Sequence, residues 1–378
     1  IPSMKKNLLM ITGLGAAESL AQGKSNALYS TLEEIHKYWG RIDIVVPKVK
    51  NQKVHKIFDN VYIHCSPVPL IFHPVFFVVK IVSLSRKINF DLMTVHEFPP
   101  FYNGIGARIV SLLTGIPYIL EVMHIPGVPK ASGIKEKIYV WFFKIFIAFD
   151  TQSARAVRVI NQKQTKDFMI QAGVSASKIK YIPAFYIDFD VFKPEFVEKK
   201  FDIIYVARLE RNKGIINLLK AVHILRNKNQ GLKVCLVGNG PLRSEIERFI
   251  KRYQLEGCVE LVGWVKSSLD VARLLNQSRV FVNPSFNEGG PRVALEAMAC
   301  GVPVITTRVG VMLDIIEDEK NGLFCDWDYT TMAQTIKHML DDENLQQLCS
   351  HNAQETVQQF ERKKAIKNYA DELWVLIQ

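Results

Sequence analysis

The sequence predicts an α/β protein built from two doubly wound, parallel-sheet domains. Short apolar runs alternate with amphipathic stretches from end to end. The apolar runs are hydrophobic at every position rather than at alternate ones. The chain is 378 residues long, and one sheet carrying that many alternations would be unusually large. A strand that is apolar throughout is buried on both faces, as in a parallel sheet covered by helices on each side.

In the first half, Asn7–Thr12 reads as a strand and Ser25–Tyr38 as a helix. Further strands are expected at Ile42–Val46, Asp91–Val95, Tyr118–Val122 and Val157–Ile160. The pattern restarts at Phe201–Val206, with a helix near Ile215–Leu225. Strands follow at Lys233–Val237, Val259–Leu261, Arg279–Val282 and Val304–Thr306. Two Rossmann-like domains account for this order. The expected division is 4–186 and 187–361, with the boundary inside the aromatic, Pro-containing and charged stretch at 185–200. A C-terminal helix over 362–378, carrying Trp374, is expected to cross back onto the first domain.

Composition narrows the class. Hydrophobic residues make up 48% and charged residues 22%, with 21 Gly and 16 Pro; that content excludes disordered and collagen-like chains. Six cysteines at 65, 235, 258, 300, 325 and 349 form no Cys-x-x-Cys pair, and such sparse cysteines suit reduced thiols in a cytoplasm. Ile1-Pro2-Ser3 before Met4 reads as an expression remnant, and no signal peptide is recognised. The longest apolar runs, 68–79 and 138–149, are too short for a membrane span and carry His73 or Lys144.

The net charge of +11 is uneven. Residues 1–190 hold 23 basic and 13 acidic side chains, a balance of +10; residues 191–378 hold 25 and 24, a balance of +1. The first half therefore suits an anionic partner. The cations are dispersed and fit no helix-turn-helix, zinc-finger or RNA-binding-sheet pattern, so no nucleic acid is expected. Two segments of this half, 74–87 and 134–149, are apolar with basic punctuation. The second is expected to be helical, with Trp141 and several Phe among Lys135, Lys137 and Lys144. Such segments either cover the first sheet or lie on an anionic membrane surface.

Two phosphate-loop patterns fail. Gly13-Leu14-Gly15 follows a strand, but a dinucleotide fingerprint needs a third glycine where Glu18 stands. Gly23-Lys24-Ser25 resembles the end of a Walker A loop, which also needs glycine at 18. What survives is a glycine turn that lets the backbone approach a ligand.

The richest segment runs from Asn283 to Gly310, as strand, glycine-rich loop, helix and strand. Pro291 fits the first helical turn and Gly301 the residue just past the helix end. Gly289 and Gly290 admit close approach, and the helix N-terminus offers N–H groups to an anion. Glu288 and Glu296, eight residues apart, suit two ends of a sugar nucleotide. Arg208 ends the strand Phe201–Val206, and Lys213-Gly214 opens the next helix. Ligands of a doubly wound sheet bind at the carboxyl ends of its strands, where two cations would neutralise a departing diphosphate.

These segments, VARLERNKG, VGNGPLRSEIE, LVGW, VNPSFNEGGPRVALEAMACGVPVITT and NGLF, resemble the donor half of the family 4 retaining glycosyltransferases of GT-B fold, in the family's order over most of 201–325. Asp188, Phe192 and Pro194 resemble its linker, with Tyr186-Ile187 in place of Gly-Val. The resemblance implies two domains facing a cleft and a hexosyltransferase that takes a nucleoside diphosphate sugar. It implies that Arg208 and Lys213 bind the diphosphate, Glu296 the ribose and Glu288 the transferred sugar. Backbone N–H groups around Gly289, Gly290, Pro291 and Arg292 would line the sugar site, although Pro291 has none of its own. Gly290 stands where the family usually has a bulky residue. Gly238, Gly240, Trp264 and Val265 would sit by the base, and Gly13 and Gly15 by the diphosphate. His124 follows its strand where the family keeps a histidine facing the sugar. His96 is its rival, and His96-Glu97 otherwise lines the acceptor pocket.

The expected reaction is retaining transfer, UDP favoured over GDP, to a hydroxyl of a lipid-linked or envelope glycan. No paired-carboxylate nucleophile is recognised. No metal and no cofactor is expected, because Asp188-Phe189-Asp190 and Asp326-Trp327-Asp328 lie in linker and distal loop. A peripheral place on the cytoplasmic face of the plasma membrane follows from the basic apolar segments. The alternatives are a soluble sugar or sugar-phosphate acceptor, a GT-B-like sugar-nucleotide epimerase, and a non-catalytic binding module.

Overall fold

The structure is a computed structural model that describes residues 6–13, 15–23 and 27–377. Ile1-Pro2-Ser3, Met4, Leu14, Lys24, Ser25 and Gln378 lie outside the described residues. The chain divides into two compact units: 1–125, 138–184 and 363–378 form one, and 126–137 with 185–362 form the other.

The first unit holds an eight-stranded sheet: β1 Asn7–Ile11, β2 Arg41–Val46, β3 Lys56–Ile57, β4 Val61–Cys65, β5 Leu92–His96, β6 Tyr118–Val122, β7 Ala156–Val159 and β8 Ile179–Tyr181. Their spatial order is β3-β4-β2-β1-β5-β6-β7-β8, parallel except for the short β3 edge against β4. The order reverses between β1 and β5, so the switch point lies where Gly13 and His96 leave those strands. Leu8, Leu9, Leu92, Ile119, Leu120 and Val157 have no exposed surface, as expected of strands covered on both faces.

The second unit holds β9 Phe201–Val206, β10 Val234–Val237, β11 Val259–Gly263, β12 Ser278–Asn283, β13 Val304–Thr306 and β14 Leu323–Phe324, in the order β11-β10-β9-β12-β13-β14. This is the doubly wound order with its switch point between β9 and β12. The loops after those strands therefore flank the ligand crevice that such sheets form, and they carry Arg208, Lys213 and Glu288.

The strands read from the sequence all exist, with ends shifted by one or two residues. The edge strands β3, β8 and β14, and β4 beside the β3 edge, were not expected. The helix expected at 25–38 covers Ala27–Ile35, after a short helix at Ala16–Ala21, and tightens into a 3₁₀ turn at His36–Tyr38. The segment 74–87 forms the helix His73–Ser85, and 134–149 forms Ile134–Thr151. Residues 126–137 of the expected 4–186 domain belong to the second unit. Buried Asn287 holds them: its Nδ2 donates to Lys130 O and to Glu136 Oε2, each at 2.9 Å. The C-terminal helix runs Arg362–Val375, and Trp374 packs against Trp39 with ring centroids 5.7 Å apart.

Candidate active site

In the second unit, glycines let four strand-end loops close on one another. A Cβ on Gly238, whose φ is +140°, would lie 1.9 Å from Ala207 O. One on Gly214, φ +68°, would lie 2.0 Å from Pro284 O, and one on Gly310, φ +51°, 2.2 Å from Gly289 O. Backbone hydrogen bonds run beside these contacts: Leu209 N to Asn239 O at 3.0 Å, Phe286 N to Asn212 O at 2.7 Å, and Val311 N to Gly289 O at 3.0 Å. The loops after β9, β10, β12 and β13 thus form one laced rim.

On that rim Lys213 Nζ lies 2.7 Å from Glu288 Oε1, both side chains being largely buried. Ser285 Oγ is 2.7 Å from the same oxygen and 2.8 Å from Asn283 Oδ1. Its single proton serves one acceptor at a time. Trp327 Nε1 fixes the loop by donating to Ser285 O at 2.9 Å. Beside it the Lys130 ammonium stands 4.7 Å from the Trp327 ring centroid. Tyr205, on β9, is buried, and its hydroxyl has no partner among the described residues; burial, then the charges of Glu288 and Glu210, push its pKa well up.

Arg208 is exposed and pairs with Glu210 at 2.8 Å. The surface ion pair and the diphosphate role are compatible, because an exposed pair is weak and exchanges readily. The helix after the loop covers Arg292–Ala299, with Pro291 as its N-cap residue. Pro291 therefore stands one place before the first turn expected for it. The free N–H groups start at Arg292, and Gly301, at φ +68°, ends the helix as expected. Glu296 is half-buried on this helix, and burial pushes its carboxyl up to about 7, opposed by Arg292. A Cβ on Gly290 would lie 2.5 Å from Phe185 Cε1. The Phe185 ring occupies the space that a bulky residue at 290 would need. Gly240 packs on Leu209, its Cβ position 2.6 Å from Leu209 O. Trp264 is exposed and Val265 half-buried just past β11.

In the first unit, Gly15 has φ +84° and an open surround, so its backbone requires glycine. Gly13 is different. Its missing side chain makes room for the His96 imidazole, with a Cβ position 2.8 Å from His96 Nδ1. His96 is half-buried at the end of β5. Its pKa is lowered by burial first, with Glu121 opposing and Arg158 adding to the effect. His124 is half-buried two residues beyond β6.

Glu97 does not line a pocket, and the expectation is corrected. It is 1% exposed, and its oxygens accept the backbone N–H groups of Asn103 at 3.2 Å and Gly104 at 2.6 Å. It caps the helix Asn103–Thr114 from a distance, satisfying two orphan donors. The strand-end position that suggested an acceptor role also suits a cap, and the sequence carries nothing to separate the two.

Sequence reasoning passed over Glu210, Ser285, Asn287, Trp327 and Phe185. Ser285 and Asn287 lie inside the motif already singled out. Phe185 lies 105 positions from Gly290 and Trp327 lies 42 from Ser285, and only the fold brings them there. Among the described residues, no group of three or more His, Cys, Asp or Glu is placed to hold a metal ion.

Two doubly wound sheets, the second carrying this rim at its switch point, define the GT-B class of nucleotide-dependent transferases. Residues 187–356 match the family described as "Glycosyl transferases group 1". Residues 187–356 thus carry a group 1 glycosyltransferase domain, and the chain has the GT-B fold. It is 23% identical over 346 residues to the capsular polysaccharide biosynthesis glycosyltransferase CapM of Staphylococcus aureus, covering 84% of this chain and 88% of that protein. Over 192 residues, half of this chain and 52% of the other, it is 30% identical to the Campylobacter jejuni α-1,4-N-acetyl-D-galactosaminyltransferase named for a diNAcBac-PP-undecaprenol-linked acceptor. Among solved structures, Anabaena HepE in complex with UDP and glucose matches with a TM-score of 0.76 at 18% identity, covering 98% of this chain and all of that one.

Proposed function

We propose that the protein transfers a sugar from a nucleoside diphosphate sugar, UDP-linked, with retention at the anomeric carbon, to a hydroxyl of a lipid-linked glycan in polysaccharide assembly. The observation that carries this reading is the Lys213–Glu288 pair, held at 2.7 Å on the glycine-laced rim of the second sheet. A diphosphate arriving there exchanges Lys213 and Arg208 from their carboxylate partners to its own oxygens. Once released by Lys213, Glu288 is free to accept a hydroxyl of the transferred sugar. The N–H groups from Arg292 onward and the partial positive charge of their helix then oppose the charge that develops as the glycosidic C–O bond to phosphate lengthens. The acceptor hydroxyl attacks from the face the diphosphate leaves, and the leaving phosphate takes its proton. His124 is assigned to the sugar by the resemblance.

HepE is crystallised with UDP and glucose, which supports the UDP donor. The Campylobacter relative is named for a polyprenyl-diphosphate acceptor and CapM for capsule, which supports the acceptor class. No helix among the described residues is long and apolar enough to cross a membrane. Exposed Ile134, Ile138, Trp141, Ile145 and Phe149 recur every three or four residues along one helix beside Lys135, Lys137 and Lys144. That stripe supports peripheral attachment to an anionic membrane on its cytoplasmic face. The reaction is proposed to need no metal ion.

The test is incubation of the protein with UDP- and GDP-sugars and a polyprenyl-diphosphate-linked acceptor, in excess EDTA. Sugar transfer with the donor's anomeric configuration kept, read by the anomeric NMR coupling, is expected. Inversion, or activity lost in EDTA and restored by a divalent ion, overturns the mechanism; transfer to soluble sugars alone overturns the acceptor.

A further inference from the structure

The first sheet carries a buried polar row that the motifs do not include. Strand register pairs His96 with Glu121 and Glu121 with Arg158, so the three side chains stand side by side on one face of β5, β6 and β7. Arg158 Nη1 donates to Glu121 Oε1 at 2.7 Å, its Nε to Ile182 O at 3.0 Å and its Nη2 to Pro183 O at 2.7 Å. The row is closed by a residue 248 positions from Glu121 in the chain. Tyr369, on the C-terminal helix, donates its hydroxyl to the same Glu121 Oε1 at 2.8 Å. Its ring lies 3.9 Å from the Arg158 guanidinium carbon. At the other end, His96 rests against the backbone of Gly13 and edge-on to Phe98, with ring centroids 5.8 Å apart. Among the described residues neither nitrogen of its ring has a hydrogen-bond partner.

We propose that Tyr369, Glu121 and Arg158 are positioning residues that fix the His96 imidazole at the switch point of the first sheet, so that the C-terminal helix is a working part of that site. The proposal rests on reading this unit as the acceptor side. Packing alone does not call for this set: an apolar trio of similar volume stabilises a fold as well as a buried ion pair or better. What the set adds is a directional charge beside one histidine. The groups facing His96 are Glu121 from β6, Arg158 from β7 and the Gly13 backbone from β1. Tyr369 acts on it through Glu121. The Tyr369 hydroxyl and Arg158 share out the negative charge of Glu121, and that division sets how strongly the imidazole holds a proton.

The test is Tyr369→Phe in the full chain, which keeps the ring over Arg158 and removes the donor to Glu121. The His96 Cε1–H resonance, assigned with His96→Asn, is followed against pH. Its midpoint is expected to move up by about half a pH unit, since Glu121 then acts on it with less of its charge compensated. The His64 resonance, next to Asp43, is expected to stay put. In sugar transfer, kcat is expected to fall about tenfold with the donor KM unchanged, short of the roughly 100-fold that a 1 Å misplacement costs. The acidic limb of its pH profile is expected to follow the resonance. If Tyr369→Phe does not fold, Glu121→Gln supplies the same reading with the opposite sign, a His96 midpoint moved down. An unmoved His96 resonance in a folded variant overturns the proposal, as does a moved resonance with an unmoved kcat profile. Absence of any transfer by the unaltered protein refutes the glycosyltransfer reading instead, while the resonance still decides the positioning.

Discussion

Lys213 and Glu288 hold each other at 2.7 Å across the switch point of the second sheet. One comes from the loop after β9 and the other from the loop after β12, and Ser285 supports the same carboxylate oxygen. In the free protein the cation proposed for phosphate and the carboxylate proposed for sugar satisfy one another, which avoids leaving either charge largely buried and unpaired.

Separating the pair should separate their roles. Lys213→Ala is expected to weaken UDP binding by about tenfold to a hundredfold while leaving uridine binding unchanged, since a hydrogen bond to a charged group is worth about 1.5–3 kcal/mol. Glu288→Gln is expected to leave UDP affinity as it is and to lower kcat about 100-fold or more, the scale of losing one transition-state contact. Calorimetry with UDP and uridine, beside steady-state kinetics, checks both. Equal turnover in Glu288→Gln would remove that residue from the reaction.

The proposed ribose contact of Glu296 carries a pH dependence. Burial raises its carboxyl to about 7, so the ionised form that contact would use is lost as pH falls through that value. Donor affinity is expected to drop between pH 8 and pH 6 and to level off below. Glu296→Gln is expected to bind weakly at every pH with the slope gone. A Kd series by calorimetry across pH 5.5–8.5 reads this, and an unchanged slope in the variant would place the titrating group elsewhere.

Asp150 makes a stability prediction of definite sign. It is 1% exposed, neither carboxyl oxygen has a hydrogen-bond partner among the described residues, and burial pushes it up to about 7. The folded chain therefore holds a proton there that the unfolded chain has already released. Its contribution to stability falls as pH rises from about 4 to about 7, at up to about 1.4 kcal/mol per pH unit. Asp150→Asn, of the same shape and always neutral, is expected to match the wild-type Tm near pH 4 and to exceed it by a growing margin up to about pH 7, the excess persisting at pH 8. A lower Tm for the variant at pH 8 would mean that the carboxylate is stabilised by the fold.

The fold was legible because parallel strands buried on both faces leave continuous apolar runs; Asn7–Ile11 and Val304–Thr306 are recognisable without context. β4 and β8 were not. Val61–Cys65 mixes Tyr62 and His64 with apolar residues because it lies near the edge, and Ile179–Tyr181 holds an exposed Lys180. The donor rim was legible because its glycines and charges are contiguous in sequence. The row through His96, Glu121, Arg158 and Tyr369 was hidden, since four residues on four separate elements show no spacing. Glu97 misled for the opposite reason: a charged residue at a strand end reads as functional until its two backbone partners are seen.

Gly290 and Phe185 offer the sharpest test of how the rim is packed. Phe185 is 4% exposed and rests edge-on against Phe360, with ring centroids 5.2 Å apart. Its ring comes so near Gly290 that a Cβ there would lie 2.5 Å from Cε1, well inside van der Waals contact. Gly290→Ala should therefore displace the ring, costing about 1–3 kcal/mol as overpacking does. Phe185→Ala should leave a cavity and cost about 3–5 kcal/mol. In the double variant Gly290→Ala with Phe185→Ala, the new methyl enters the space the ring has vacated. The two changes should then cost less together than the sum of the singles, by about 0.5–3 kcal/mol, the usual coupling between residues in contact. Denaturant midpoints of the three variants and the parent measure that difference. Strict additivity would mean that the ring and the glycine do not share the space, and that the small residue at 290 answers to the sugar rather than to Phe185.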